Sequence, residues 1–154
     1  MSAIEFSVKP FKQLTIEELY EILRLRTEVF VVEQDCVYQD LDNKDQKALH
    51  VIGTKKGKII AYTRVFDIGD YFDTTSSIGR VVVASDQRKF SYGHRLLQKS
   101  LEVIKQYYDT DKVTISAQLY LKKFYEKHGF VQIEDTYLED GIPHIKMIRD
   151  HDSI

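Results

Sequence analysis

The chain has 154 residues, a net charge of −2 and 43% hydrophobic residues, enough for one domain with its own core and no global attraction to nucleic acid or an anionic membrane. Its one cysteine, Cys36, excludes an internal disulfide. Because the N-terminus has no signal-peptide pattern and no apolar run could span a membrane, we expect a cytoplasmic protein with one domain over residues 1–154.

The N-terminal part of the chain predicts a strand, a helix and a loop. Residues 4–8 alternate apolar and polar side chains, as a strand does. Thr15, with Glu18 three residues on, forms the capping-box pattern that begins a helix. Residues 35–47 hold five Asp or Asn residues and predict a long loop, whose length indicates a function. Apolar residues in the helix recur at spacings of 3, 4 and 3 and predict one buried stripe, formed by Ile22, Leu25, Val29 and Val32.

The rest of the chain alternates between strand and helix patterns. Residues 49–54 and 58–66 flank a Lys-Lys-Gly turn and predict a hairpin. Residues 77–84 form a β-branched strand, typical of one covered on both faces. A helix that begins at Ser91 or Tyr92 and ends at Tyr108, a strand over 112–117 and a helix over 119–128 follow, the last ended by Gly129. Residues 130–137 and 141–148 predict a closing antiparallel pair.

This order of elements predicts the α/β (α+β) class. A helix between two strands favours local parallel pairing, whereas hairpins are antiparallel. We therefore expect a mixed central sheet with helices on both faces.

The turn between the fourth strand and its helix is the first chemical signal. Free N–H groups and the helix dipole at such a turn attract an anion such as pyrophosphate. The segment from Arg88 to Gly93 is neither a Walker loop nor a dinucleotide fingerprint. It resembles the pyrophosphate loop [Q/R]-x-x-G-x-[G/A] of the GNAT acetyltransferases: Arg88 and Gly93 match, and Ser91 replaces the first glycine. Taken alone, an ordinary strand-to-helix turn explains the segment as well.

A second motif lies about thirty residues further on, over residues 118–130. It resembles the GNAT pattern N-x-x-[A/S]-x-x-[F/L]-Y-x-x-x-G-F, with Gln118 in the Asn place and with Phe124, Tyr125, Gly129 and Phe130 matching. The plain alternative is a pair of core aromatics at a helix end. Blocks at residues 24–50 and 139–147 are similar to the ElaA-like branch of the superfamily, so the resemblance covers nearly the whole chain.

The resemblance implies a fold, a donor and a set of site residues. The donor would be acetyl-CoA, and Tyr125 would protonate its thiolate as general acid. The general base would be Glu33, His144 or Asp140, and an N–H near Val81 or Val82 would stabilise the oxyanion. The pantetheine arm would pair with the edge of the fourth strand. The residues that would bind the cofactor are Val81, Val82, Val83, Arg88, Lys89, Phe90, Ser91, Tyr92, Gly93, His94 and Gln118.

We expect the acceptor to be a small-molecule or peptide primary amine, held by carboxylates in the two outer blocks: Glu33, Asp40, Asp42, Glu139 and Asp140. We expect neither nucleic acid nor a membrane as partner; monomer and homodimer both remain open. Arg24, Arg26 and Arg64 would bind an acidic substrate or make ion pairs.

We expect no metal. Asp40, Asp42 and Asp45 are arranged like a calcium loop but lack its glycine and its last glutamate, and Cys36 and His50 have no ligand spacing. Two alternatives remain at this point. One is a non-catalytic module that senses acetyl-CoA, motivated by Ser91, and the other is a structural or interaction protein.

Overall fold

The computed structural model describes residues 3–150. Within that range eight strands form one sheet in the order β1-β2-β3-β4-β5-β8-β6, with β7 also paired to β8. The strands are β1 (Glu5–Pro10), β2 (Leu49–Lys55), β3 (Lys58–Phe66), β4 (Ser76–Val83), β5 (Val113–Gln118), β6 (Val131–Gln132), β7 (Tyr137–Glu139) and β8 (Ile142–Arg149). Among these described strands β4 and β5 pair in parallel and the other pairs are antiparallel, so the predicted mixed sheet is confirmed.

The first helix, α1 (Ile16–Arg26), begins at the predicted capping box, in which the Thr15 side chain and the Glu18 side chain each accept the other's backbone N–H. The helix continues as a π-helical segment, Thr27–Glu33. This wider turn changes the phase of the buried stripe. Ile22, Leu25 and Val29 are buried as predicted, but Val32 is 69% exposed, so the prediction for Val32 is wrong.

Helices cover both faces of the sheet, as expected. The Arg26 guanidinium of α1 lies over the Tyr62 ring at 5.8 Å from its centroid. Ser100, in α2 (Tyr92–Tyr108), shares a hydrogen bond of 2.7 Å with Thr63. Tyr62 and Thr63 are neighbours in β3, and successive side chains of a strand point to opposite faces. The two helices therefore pack on opposite sides of β3.

The C-terminal third differs in detail from the prediction. The helix expected over 119–128 is a 3-10 turn, Leu119–Leu121, followed by α3 (Lys122–Glu126), and Gly129 then turns the chain at φ +89°. The single strand expected over 130–137 is instead two short strands, β6 and β7, both paired with β8. Asp140 and Gly141, both at positive φ, close the β7–β8 hairpin.

β4 and β5 part soon after they meet. They pair only at Ser76–Val113 and Ser77–Thr114. The register between β3 and β4 then shifts between Tyr62 and Arg64, opposite a bulge in β4 at Arg80, whose φ is +53°. A bulge bends its strand, and β4 leaves β5 so that a gap opens between their C-terminal halves.

Candidate active site

The gap between β4 and β5 opens into a cavity of about 530 Å³. Its walls come from the end of α1, both strands, the start of α2, α3 and the β7–β8 hairpin. Thirteen predicted site residues line it together: Glu33, Val81, Val82, Val83, Arg88, Ser91, Gly93, His94, Gln118, Tyr125, Glu139, Asp140 and His144.

The edge of β4 that faces the cavity has backbone groups that are turned away from β3, although the Val83 carbonyl there accepts a hydrogen bond of 3.1 Å from Arg88 Nε. The Ala84 N–H donates to the Ile60 carbonyl at 2.8 Å, so these two residues form a hydrogen-bonded pair with β3. Because such pairs alternate along an antiparallel ladder, Val83 turns its N–H and C=O away from β3, and Val82 turns toward Tyr62. An extended amide-containing arm can therefore add beside β4 at Val83.

Helix α2 begins at the same edge. Its first residue follows Ser91, which has φ +60° and, within the described chain, no side-chain hydrogen bond to the helix. The first amides of α2 are thus without an internal cap, the arrangement that suits an anion. A Cβ at Gly93 would lie 3.4 Å from Phe124 Cε1, which is ordinary van der Waals contact.

Tyr125 is held rigidly in the cavity wall. Its ring is 95% buried and packs edge-on against Phe124 and Phe130, at centroid distances of 5.1 and 5.9 Å. Among residues 3–150 its hydroxyl has no hydrogen-bond partner. Burial, followed by the nearby Tyr120, raises the pKa of Tyr125 above its ordinary value, so the phenol keeps its proton.

His144 lies opposite, with a defined orientation. Its Nδ1 is 2.7 Å from the Ile142 carbonyl and must donate to it, which leaves Nε2 as the acceptor nitrogen. Nε2 lies 3.6 Å from Glu139 Oε2. The other oxygen of Glu139 accepts a hydrogen bond of 3.2 Å from Ser116, whose hydroxyl also contacts the Tyr137 hydroxyl.

Glu33 and Arg88, predicted as separate functional groups, bind each other. Arg88 Nη1 and Nη2 donate to the two Glu33 oxygens at 2.5 and 3.0 Å, and Arg88 Nε donates to the Val83 carbonyl at 3.1 Å. Both Glu33 oxygens are occupied, so His144 is better placed than Glu33 to accept a proton.

Four other predicted cofactor residues make contacts with neighbouring protein side chains or lie outside the cavity wall. Gln118 exchanges two amide hydrogen bonds with Gln34, at 3.2 and 3.3 Å. Lys89, Phe90 and Tyr92 do not line the cavity: the Phe90 ring packs 4.0 Å from Lys55 Nζ, and Tyr92 is buried.

The expectation that Asp40 and Asp42 attract the acceptor is wrong, because arginines already occupy their oxygens. Arg26 binds Asp40 at 2.8 Å and Asp45 at 2.9 Å; Arg64 binds Asp42 at 2.5 Å and Asp45 at 2.8 Å. Burial alone would raise the Asp42 pKa, but the Arg64 hydrogen bonds hold it below its ordinary value. We call these side chains, with Arg80, the buried ion cluster. Arg24 makes an exposed pair with Glu28.

Sequence reasoning missed several cavity residues, namely Gln34, Tyr38, Arg80 and Ser116. Their signal was weak, since none belongs to a motif with its own chemistry. Within residues 3–150 no three His, Cys, Asp or Glu side chains are grouped to hold a metal ion. None of the helices in that range is long and apolar enough to cross a bilayer.

The mixed sheet that splits beside a bulge, with a helix N-terminus at the split, matches the fold of a solved acyl-CoA N-acyltransferase. The sequence matches the family described as an acetyltransferase (GNAT) domain over residues 12–150. The chain therefore belongs to the GNAT family, in its ElaA-like branch.

Its relatives cover almost its whole length. A UPF0039 protein of Schizosaccharomyces pombe is 44% identical over 149 residues, covering 96% of this chain and 97% of the relative. The crystal structure of an acyl-CoA N-acyltransferase from Pseudomonas aeruginosa has a TM-score of 0.90 at 39% identity, covering 96% of this chain and 99% of that one. The crystal structure of ElaA from Escherichia coli gives 0.89 at 37% identity, covering 96% and 100%.

Proposed function

We propose that this protein transfers an acetyl group from acetyl-CoA directly to a primary amine, with Tyr125 as general acid. The observation that carries the proposal is the Tyr125 hydroxyl, protonated and without a protein partner among residues 3–150, in the wall of a cavity beside the edge of β4 that faces away from β3. The Val83 backbone and the first amides of α2 fit an extended arm that ends in a pyrophosphate.

When bound, acetyl-CoA supplies a thioester whose sulfur leaves as a thiolate. Tyr125 gives its proton to that leaving group and regains one from solvent. Val82 faces β3, so the candidate oxyanion donor narrows to the backbone around Val81.

His144 is the proposed base. Its Nδ1–H is held by the Ile142 carbonyl, so Nε2 accepts the proton that the amine loses as the new C–N bond forms. The nearby Glu139 carboxylate stabilises the imidazolium that results. Glu139 and Asp140 remain as the carboxylates on the hairpin side of the cavity, and they favour a cationic acceptor.

The test has two stages. We expect calorimetry to detect acetyl-CoA binding in the micromolar range, and binding weaker than about 1 mM (about −4.1 kcal/mol) contradicts the donor assignment. A panel of polyamines, peptide amines and alcohols is then screened for release of free thiol from acetyl-CoA. Release with amines supports the proposed reaction. Binding without any release favours the sensing module, and activity with alcohols alone contradicts the amine acceptor.

A further inference from the structure

Arg80 has an unusual backbone conformation at the point where the cavity opens. Its φ of +53° is a left-handed value that residues with a Cβ adopt at a cost. Arginine is not among the residues that favour this region, which are glycine, asparagine and aspartate. Something other than local preference must therefore hold Arg80 there.

The conformation matters because it forms the bulge. Tyr62 pairs with Val82 and Arg64 pairs with Gly79, so Thr63 faces the two residues Arg80 and Val81. An extra residue on one strand bends it and increases its twist. If residue 80 became extended, β4 would straighten and lie closer to β5, and the gap would narrow.

Asp40 holds the Arg80 side chain at two points. Arg80 Nη2 donates a hydrogen bond of 2.8 Å to the Asp40 carbonyl, and Arg80 Nε lies 2.7 Å from Asp40 Oδ1 as an ion pair without hydrogen-bond geometry. Asp42 lies further from Arg80 Nη2, at 3.6 Å. The Asp40 side chain is 3% exposed, so these contacts are shielded from water.

Asp40 is itself fixed by two other elements. Arg26 of α1 donates from Nε to Asp40 Oδ2 at 2.8 Å, and the Tyr38 hydroxyl donates to Oδ1 at 2.8 Å. Asp45, in the same cluster, binds Arg26 and Arg64 but has no contact with Arg80 among those within residues 3–150. Asp40 is thus the anchor between α1 and the bulge of β4.

We propose that Asp40 is a positioning residue for the donor cleft, which keeps β4 and β5 apart by holding Arg80 in its left-handed conformation. The link to acetyl-CoA rests on the function proposed above. The buried ion cluster then has a role beyond stability, because it couples the loop over residues 35–47 to the shape of the cavity.

The first test compares two neutralised carboxylates in the same cluster. We expect Asp40→Asn to weaken acetyl-CoA binding by about tenfold, which corresponds to about 1.4 kcal/mol. Asp45→Asn breaks buried ion pairs of the same kind, and we expect its affinity to stay within about twofold of the unaltered protein. Urea denaturation, run in parallel, measures the loss of stability in each variant. Equal losses of affinity in the two variants overturn the proposal.

The second test does not depend on Asp40→Asn folding. Arg80→Gly and Arg80→Ala both remove the guanidinium, but only glycine adopts φ near +53° without strain. We expect Arg80→Gly to bind acetyl-CoA more tightly than Arg80→Ala by about tenfold. In the Arg80→Gly background, Asp40→Asn should then cost no further affinity. Equal binding by the two Arg80 variants, or an undiminished Asp40→Asn effect in that background, overturns the proposal.

If the unaltered protein itself does not bind acetyl-CoA, it is the proposed function that fails, and a crystal structure of Arg80→Ala decides the geometry: a straight β4 supports the anchor, and a retained bulge contradicts it.

Discussion

At the scale of single residues, Tyr125 combines a buried ring in apolar contacts with a hydroxyl that has a proposed catalytic role. Tyr125→Phe keeps the ring contacts with Phe124 and Phe130 and removes only the acid. We expect kcat to fall by about 10²-fold, the low end of the about 10²–10⁴-fold for general acid catalysis, because a thiolate leaves with help from water. Acetyl-CoA affinity should change little. Steady-state and single-turnover kinetics measure both, and an unchanged kcat with rate-limiting chemistry would make Tyr125 a core aromatic only.

Ser91 departs from the family pattern, and its conformation gives the departure a physical meaning. At φ +60° and ψ +27° a serine bears a strain of about 1–2 kcal/mol that glycine avoids. We expect Ser91→Gly to tighten acetyl-CoA binding and leave stability equal or slightly higher, as read by calorimetry and urea denaturation. Ser85→Gly, at a position outside the positive-φ residues, is the matched control and should only destabilise. Weaker binding by Ser91→Gly would show that the serine hydroxyl serves the phosphate.

The Glu33–Arg88 ion pair lies in the wall of the proposed donor site. Acetyl-CoA brings phosphates that compete with Glu33 for the Arg88 guanidinium. We expect Glu33→Gln to increase acetyl-CoA affinity severalfold at low salt, whereas Glu28→Gln, which breaks an exposed pair with Arg24, should leave it unchanged. Calorimetry at two ionic strengths measures the difference. A loss of affinity in Glu33→Gln would mean that Glu33 orients Arg88 for the ligand.

At the scale of elements, the sequence predicts what local chemistry dictates. The Thr15–Glu18 capping box, the β2–β3 hairpin and α2 lie close to where they were expected. The sequence did not predict the π-helical turn after Arg26 or the division between β6 and β7, because both depend on packing of distant parts of the chain. The same reason explains the site. Motif residues converged on the cavity, but the occupation of Asp40, Asp42 and Glu33 by arginines required the fold.

The contact between α2 and the turn that follows α3 predicts a pH dependence of stability. His94 Nδ1 and His128 Nε2 share a hydrogen bond of 2.8 Å, and α3 carries Tyr125. Burial first, then His94 and Arg149, holds the His128 pKa below its ordinary value of about 6.5. A lowered pKa means that the unfolded chain binds the proton more readily than the folded chain does. The contribution of His128 to the free energy of unfolding is therefore fully present above pH ~6.5 and is lost as pH falls.

We therefore expect the free energy of unfolding to decrease below pH ~6.5, by less than about 1.4 kcal/mol per pH unit for this one half-exposed group. His128→Gln should flatten the slope without abolishing it, because burial also lowers the pKa of His50. Urea denaturation between pH 5 and 8 gives the slopes. Identical slopes in the two proteins would show that His128 does not contribute to the pH dependence of stability.

At the scale of the whole molecule, the sheet consists of two parts joined by few hydrogen bonds. Among the described strands, β1–β4 and β5–β8 pair only at Ser76–Val113 and Ser77–Thr114, and beyond these pairs the two parts face each other across the cavity. A ligand that adds beside β4 and ends at the start of α2 would restore contact where the sheet lacks it. The opening that creates the site therefore also leaves the free protein less stable along this edge.

This arrangement predicts which segments of the sheet and helices acetyl-CoA binding should stabilise. Acetyl-CoA at about 100 times its Kd should stabilise the protein by about 2.7 kcal/mol. Local hydrogen exchange should slow at Val83 and at the first amides of α2, whereas β1 and β2, remote from the gap, should change only with global stability. Adenosine 3′,5′-bisphosphate, which lacks the pantetheine arm, is the matched control and should not protect Val83. Hydrogen exchange followed by mass spectrometry resolves these segments. Even slowing across the sheet with acetyl-CoA, or protection of Val83 by the bisphosphate, would contradict the proposed placement of the arm beside β4.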